Sequence, residues 1–124
     1  MRNKPTAAEL TILRTLWALG PSTVRQVHDA REETATGYTT TLKLLQIMAD
    51  KGLVRRNESQ RAHVYEARLP REKTQAQLVR DLVDSVFGGS ASRLVVHALA
   101  AKPSSPAERQ EIRRLLDAME EKRR

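Results

Sequence analysis

Hydrophobic residues in the first twenty positions recur at spacings of three and four, which predicts an amphipathic helix with one buried face. These residues are Leu10, Leu13, Leu16 and Trp17. The segment opens with Thr6-Ala7-Ala8-Glu9, whose ends have the spacing of a capping box, and it closes at Gly20-Pro21, which cannot continue a helix. A second, shorter helix is predicted from a cap at Ser22 or Thr23 to about Arg31.

A third helix is predicted after a polar connection over residues 32–37, with Thr39 as its N-cap and Gly52 as its C-terminal signal. Its inward face carries Leu42, Leu45 and Ala49, with Tyr38 at its entrance. Its outward face carries Thr40, Lys43, Leu44, Ile47 and Lys51. This mixture suits a surface that reads DNA bases, because Thr and Lys form hydrogen bonds while Leu or Ile pack on thymine methyl groups. Packing of Leu44 and Ile47 on a neighbouring segment is the alternative interpretation.

The hydrophobic period changes from helical to alternating after Gly52, which predicts a β-hairpin with strands over residues 53–57 and 61–67. Three helices followed by a hairpin is the order of a winged helix-turn-helix, in which the third helix enters the major groove and the hairpin meets the DNA backbone. We therefore predict a mainly α fold with a small β-hairpin wing. Residues 1–69 are predicted to form the winged-helix DNA-binding domain.

Charge supports a polyanionic partner and identifies candidate contacts. The formal net charge is +7 and the isoelectric point is about 10.4. The candidates for reading bases are Thr39, Thr40, Lys43, Leu44 and Ile47, with the two threonines alternatively on phosphates. The candidates for the DNA backbone are Lys51, Arg55, Arg56 and Arg61. Such cations would supply salt-sensitive affinity that does not depend on base sequence.

Residues 70–124 are predicted to form a helical dimerisation region of three amphipathic helices. The first covers residues 71–87, the second follows a cap at Ser90, and the third opens with the capping box Ser105-Pro106-Ala107-Glu108. Three short helices are too small to sustain a core alone, so pairing with a second copy is predicted, with a monomer folded back on the first domain as the alternative. The predicted interface residues are Leu78, Leu82, Val86, Phe87, Leu94, Val95, Leu99, Ile112, Leu115, Leu116 and Met119.

Several blocks of the chain together resemble one known family. They are Leu16-Trp17-Ala18-Leu19-Gly20-Pro21-Ser22-Thr23-Val24-Arg25-Gln26-Val27, Gly37-Tyr38-Thr39-Thr40-Thr41-Leu42, Lys51-Gly52-Leu53-Val54 and Arg61-Ala62-His63-Val64-Tyr65. In this order and spacing they resemble the penicillinase-repressor (BlaI/MecI/CopY) family, and the C-terminal helices resemble its dimerisation helices. The resemblance implies a homodimeric transcriptional repressor on a palindromic operator with TACA/TGTA-type half-sites, upstream of a resistance or stress operon.

The resemblance also implies how repression ends. Antibiotic-responsive relatives are cleaved at an Asn-Phe bond in the helix before the last, after signalling by a membrane sensor metallopeptidase. The aligned position in this chain is His97-Ala98, which departs from that pair and leaves cleavage elsewhere in the dimer helices open. Copper-responsive relatives use C-terminal cysteines, and this chain has no cysteine. Ile47 stands where relatives often carry arginine, so the operator preference can differ from the typical one.

Other functional classes find little support in the sequence. The absence of cysteine excludes disulfides and thiol chemistry, and the three histidines lie in different predicted elements without metal-ligand spacing. His28 is expected to be solvated, and His63 to pack or form hydrogen bonds in the hairpin. No phosphate-binding glycine loop or nucleophile elbow occurs, so we expect no catalysis, metal cluster or cofactor. Without a membrane-length apolar run or a signal peptide, the chain is expected to be cytoplasmic.

Two alternatives from other classes stay open at this point. A winged helix can serve as a protein-interaction module, which would bind duplex DNA weakly and without sequence preference. An architectural DNA binder would show steep salt dependence but little discrimination between sequences.

Overall fold

The computed structural model describes residues 4–31 and 37–123, and these contain six α-helices and three short β-strands. The elements are α1 (Ala7–Leu19), β1 (Ser22–Thr23), α2 (Val24–Ala30), α3 (Tyr38–Lys51), β2 (Val54–Asn57), β3 (Val64–Ala67), α4 (Arg71–Ser85), α5 (Ala91–Ala101) and α6 (Pro106–Lys122). A winged helix followed by a helical region confirms the predicted fold class. The predicted polar connection lies outside the described residues except for Gly37.

The chain divides into two compact units, one over residues 1–81 and one over residues 82–124. Their boundary falls inside α4, later than the division we predicted between residues 69 and 70. That predicted division is functional, between DNA binding and dimerisation, and it stays a prediction.

The first two helices begin where the sequence predicts. The Thr6 hydroxyl accepts from the Glu9 N–H at 3.2 Å, while Glu9 Oε1 accepts from the Thr6 N–H at 2.8 Å. α1 ends at Gly20, whose φ of 82° is readily adopted by glycine and whose N–H donates to the Leu16 carbonyl. Thr23, rather than Ser22, caps α2 through an equivalent box with Gln26. Local capping chemistry therefore marks both starts.

The wing is a three-stranded antiparallel sheet in the order β1-β3-β2. β3 pairs with β2 on one side, where Tyr65 faces Arg56, and with β1 on the other, where Tyr65 faces Ser22. The predicted hairpin is thus present, with its second strand starting at Val64. β1 was not predicted, because a strand of two residues shows no alternation and exists only through its pairing with β3.

The core of the first unit lies between α1, α2, α3 and the sheet. Its buried residues are Ile12, Leu13, Leu16, Val24, Val27, Leu45, Met48, Leu53, Val54 and Tyr65. Leu10 and Trp17, predicted to be buried, pack against this cluster with part of their surface exposed. The aliphatic core predicted from the periodicity is therefore correct in its elements, and it holds α3 against α1 and α2.

α3 is rotated about its axis relative to the prediction. It begins at Tyr38 with Gly37 as its N-cap, so Thr39 lies in the first turn and is not the cap. The residues of α3 that are buried are Thr41, Leu45 and Met48. Leu42 and Ala49, predicted to face inward, are half-buried, and Tyr38 is exposed. Leu42, Leu45 and Ala49 nevertheless belong to or pack against the core, as predicted, and Thr41 was missed because a buried threonine leaves no signal in a hydrophobic pattern.

The second unit has well-capped helices but no buried core. Ser90 accepts from the Arg93 N–H at the start of α5, and Ser105 and Glu108 form the predicted capping box of α6. Among described residues 82–123, none is fully buried. In the part of the chain that the structure describes, no helix combines the length and the apolar character needed to cross a bilayer.

Candidate nucleic-acid interface

The exposed face of α3 has the chemistry of a base-reading surface. The exposed residues of α3 that could contact bases are Thr39, Thr40, Lys43, Gln46 and Ile47, and Tyr38 and Asp50 are exposed on the same helix. Four of the five candidates offer hydrogen-bonding groups, and Ile47, with 40% of its surface exposed, offers an apolar contact. Gln46 was missed in the sequence analysis, although its position three residues after Lys43 on a helix was a usable signal. Its amide can bind the adenine edge in a bidentate manner.

Leu44 does not belong to this exposed face. It is half-buried and packs against the hydrophobic core of the first unit. Of the two interpretations left open, packing is therefore correct for Leu44, whereas Ile47 is exposed. The same rotation of α3 that buries Met48 turns Leu44 towards the core.

Lys51, predicted to bind the DNA backbone, has a different partner. Its Nζ donates to Glu9 Oε1 at 2.7 Å and lies 3.3 Å from the Lys4 carbonyl oxygen. The Glu9 side chain is only 2% exposed, so Lys51 neutralises a buried carboxylate. We remove Lys51 from the candidate phosphate contacts because its charge is already compensated within the protein.

The wing presents the three arginines that the sequence predicted. Arg55, Arg56 and Arg61 are all exposed. Arg56 Nε forms an ion pair with Glu58 Oε1 at 2.8 Å. A hydrogen bond with the Tyr65 side chain, and then the charge of Glu58, raise the pKa of Arg56 above its ordinary value. Arg56 is therefore oriented by its neighbours, whereas Arg55 and Arg61 have no ion pair among the described residues.

A cleft of 390 Å³ lies between the start of α3 and the wing. It brings Arg56 and Arg61 together with Arg25 of α2, which the sequence analysis missed. The Arg25 guanidinium carbon lies 4.4 Å from the centroid of the Tyr38 ring, an arrangement that favours a cation–π contact. Gln46 also lines this cleft, so the base-reading face and the arginines are contiguous. His63, expected to pack or to form hydrogen bonds in the hairpin, is exposed at the same cleft.

A buried polar network fixes α3 against α2. Thr41 is fully buried, and its hydroxyl accepts from Arg31 Nη1 at 3.1 Å. The same oxygen lies 3.0 Å from His28 Nδ1. Because arginine only donates, the Thr41 hydroxyl proton is free to donate to that nitrogen. His28 was expected to be solvated and is instead half-buried, with its ring also 5.9 Å from that of Tyr38.

The C-terminal helices expose much of their apolar surface. Of the predicted interface residues, those exposed are Leu82, Val86, Val95, Leu99, Leu115, Leu116 and Met119. Those half-buried are Leu78, Phe87, Leu94 and Ile112. Val79, which lies in the apolar stripe predicted for the helix over residues 71–87, and Val96, which was missed, are also exposed, at 48% and 65%. His97 lies with its ring 5.4 Å from that of Phe87, and Ala98 follows it within α5.

Comparison with known proteins agrees with this architecture. The sequence matches the penicillinase repressor family over residues 5–118. The chain belongs to the penicillinase repressor family. Two similar proteins are the "Transcriptional regulator BlaI" of Mycobacterium tuberculosis strains CDC 1551 / Oshkosh and ATCC 25618 / H37Rv. Each is 37% identical over 94 residues, which cover 72% of this chain and 67% of the relative.

The penicillinase repressor match spans the winged helix and most of α6, so it covers both the candidate interface and the exposed apolar helices. It confirms the family predicted from the sequence blocks, and with it the class of DNA-binding transcriptional repressors. This family is one of regulators, in agreement with the expectation that the chain is not an enzyme. Within the described residues, no three His, Asp or Glu side chains form a group suited to a metal ion.

Proposed function

We propose that the chain is a homodimeric repressor whose two winged helices bind the half-sites of a palindromic operator. The observation that carries this proposal is the continuity of the exposed face of α3 with the cleft of three arginines at the wing. A helix with polar side chains next to a cationic wing fits a major groove flanked by phosphates. The operator is proposed to have TACA/TGTA-type half-sites and to precede a resistance or stress operon.

In this proposal, base recognition is assigned to Lys43, Gln46 and Ile47. Lys43 would donate to guanine, Gln46 would pair with adenine, and Ile47 would contact thymine methyl groups. Thr39 and Thr40 lie in the first turn of α3, where a hydroxyl can reach either a base or a phosphate.

Backbone contacts are assigned to four arginines. These are Arg25, Arg55, Arg56 and Arg61. All four are exposed, and three of them line one cleft. Each phosphate that such a residue neutralises releases a counterion, so their contribution should fall as salt rises.

Dimerisation is proposed through the exposed apolar residues of α4, α5 and α6. Leu115, Leu116 and Met119 are each more than half exposed, on a helix that buries none of its described residues. So many large apolar side chains left exposed on a few helices are unusual on a protein that stays monomeric. Two copies related by a twofold axis would cover them and would also present two copies of α3 to a palindrome.

We also retain proteolysis as the proposed end of repression, with a membrane sensor metallopeptidase as the source of the signal. The bond between His97 and Ala98 lies inside α5, so cleavage there requires local unwinding of that helix. Cleavage in α5 would separate α6 from the rest of the proposed dimer surface.

The test is a fluorescence-anisotropy titration of the full chain on its own upstream DNA and on a scrambled duplex, at low and physiological salt. We expect a preference of about 10³ or more for the upstream DNA. Equal, salt-labile binding to both duplexes would instead indicate an architectural binder. No binding would indicate a protein-interaction module.

Matched variants test the assigned roles in the same assay. Gln46→Ala and Lys43→Ala should reduce the preference between duplexes, by about 1–3 kcal/mol for each lost base contact. Arg55→Ala should weaken binding to both duplexes equally and reduce the slope against salt. If the α3 variants lowered both affinities equally, the base-reading assignment would be wrong.

A further inference from the structure

A second cleft lies between α1 and the end of α2, away from the candidate DNA interface. Its volume is 460 Å³, which is within the range of sites for small molecules. It is lined by Thr11, Arg14, Thr15, Ala18, Leu19, Ala30 and Arg31. The described lining residues thus include two cations and three apolar side chains but no carboxylate.

Arg31 is a buried cation without a counterion among the described residues. It is 8% exposed, and its guanidinium donates to two neutral hydroxyls, Thr41 at 3.1 Å and Thr11 at a long 3.4 Å. Its Nε is buried and has no hydrogen-bond partner in the part of the chain that the structure describes. Burying a charge is costly unless it is paired, so an anion at this position would be favourable.

The hydroxyl groups of the cleft do not supply donors for an anion. Thr11 Oγ1 donates to the Ala8 carbonyl at 2.6 Å, and Thr15 Oγ1 donates to the Thr11 carbonyl at 3.0 Å. The donors left are therefore the guanidinium groups of Arg14 and Arg31. Arg14 is exposed and has no ion pair among the described residues, so an anion between the two would also reduce their repulsion.

We propose that this cleft binds a small molecule with a carboxylate group and an apolar body. A carboxylate matches the fork of donors that a guanidinium presents. The apolar body would pack on Ala18, Leu19 and Ala30. A free inorganic anion would leave that apolar lining unused.

A hydrogen bond connects the cleft to α3, the helix whose opposite side carries the candidate DNA interface. Arg31 Nη1 donates to Thr41, which is the buried polar residue of α3. A bound carboxylate would compete for Arg31 and weaken its contact with Thr41. We expect the bound ligand to lower operator affinity. This effect rests on the proposed function, whereas binding of the ligand to the cleft is independent of that function.

The binding test uses sodium benzoate as the probe and the ¹H–¹⁵N spectrum of the full chain, with sodium chloride at equal ionic strength as the reference. The Nε–H of a buried arginine exchanges slowly with water, so Arg31 can be followed directly. We expect its signal and the amide signals of Thr11 and Thr15 to shift and saturate with a Kd of about 1 mM or lower. Absence of a saturable shift would overturn the proposal.

Matched variants distinguish binding of benzoate at the cleft from general attraction of an anion to a positively charged protein. Arg14→Gln should weaken benzoate binding about tenfold, because it removes a charge-assisted contact. Arg80→Gln in α4 removes the same charge from an exposed position outside the cleft and should leave binding unchanged. Equal weakening in both variants, or equal binding of inorganic phosphate, would overturn the assignment of a carboxylate site with an apolar lining.

The coupling is tested by repeating the DNA titration with saturating benzoate. Operator affinity should fall about fivefold or more in the parent chain, and it should fall clearly less at the same benzoate concentration in Arg14→Gln, whose cleft is only partly occupied. Unchanged affinity in the parent chain would overturn the coupling but not the site. Lack of operator preference without benzoate would overturn the proposed function, and the spectra would still decide on the cleft.

Discussion

The Nζ of Lys51 lies 2.7 Å from Oε1 of Glu9, and this contact joins the last residue of α3 to the first turn of α1. Glu9 accepts a second hydrogen bond from the Thr6 N–H, so one carboxylate both caps α1 and anchors α3. The side chain of Lys51 keeps 27% of its surface exposed, whereas that of Glu9 keeps 2%. A lysine that resembles a phosphate contact in sequence is therefore a structural counterion.

Lys51→Met should destabilise the fold by about 3 kcal/mol, because it leaves the Glu9 carboxylate buried without its partner. Lys43→Met, at an exposed position of the same helix, should change the free energy of unfolding by less than about 0.5 kcal/mol. Urea denaturation measures both. Adding Glu9→Gln to Lys51→Met should recover part of the loss. Full stability of Lys51→Met with weaker DNA binding would return Lys51 to the phosphate contacts.

Stability should fall in acid through the same pair. Burial raises the pKa of Glu9. The hydrogen bonds from Lys51 and Thr6, together with the charge of Lys51, lower the pKa by more than burial raises it, so the net pKa lies below the ordinary 4.5. A lowered folded-state pKa contributes stability that is complete above the unfolded value and is lost as pH falls through the folded one.

The measurement for this acid effect is the urea midpoint of the parent chain and of Glu9→Gln from about pH 6 to pH 3. Glu9→Gln should be less stable at pH 6 and should lose less stability below about pH 4.5 than the parent. Glu121→Gln, exposed on α6, should follow the parent. Parallel curves for Glu9→Gln and the parent would contradict the assigned role.

Thr41→Val should destabilise the first unit by about 1–3 kcal/mol, because it leaves Arg31 Nη1 and His28 Nδ1 without their buried partner. Thr40→Val, its exposed neighbour, is the matched control and should change stability little. Thermal unfolding followed by circular dichroism compares the two. Equal effects of both substitutions would mean that the hydroxyl of Thr41 contributes nothing to the packing of α2 and α3.

Trp17 Nε1 donates to the Leu69 carbonyl at 3.0 Å and so ties α1 to the segment that precedes α4. Trp17→Phe removes this donor and part of the ring, and we expect a loss of about 1 kcal/mol or more in unfolding free energy. Tyr38→Phe, which alters an exposed ring, serves as the control. Trp17 is the one tryptophan of the sequence, so Trp17→Phe removes the tryptophan fluorescence, and unfolding is followed by circular dichroism.

Leu116→Lys should convert the proposed dimer to a monomer at micromolar concentration, because it places a charge in the apolar face of α6. Glu121→Lys, on the opposite side of the same helix by the helical period, should leave the oligomeric state unchanged. Sedimentation velocity of the two variants and the parent decides this. A monomeric parent chain would show that the apolar helices do not pair.

The winged-helix fold and the exposed apolar helices were predictable because their signals are local. The capping boxes at Thr6 and Ser105 and the stop at Gly20 each depend on residues within one turn, and the structure has all three. The apolar period also placed Leu13, Leu16 and Leu45 in the core correctly. The pairing of β1 with β3 could not be predicted, since it joins residues more than forty positions apart.

The candidate site was predicted in its elements but not in all of its residues. The sequence by itself determined that α3 follows a short α2 and precedes a basic hairpin, because helical period, capping and alternation are written into neighbouring residues. Tertiary structure decided which side of α3 faces outward. Burial of Thr41 and the pairing of Lys51 with Glu9 turn Gln46 outward and Leu44 inward. Buried polar groups need partners from distant elements, and a linear pattern of hydrophobic residues does not contain those partners.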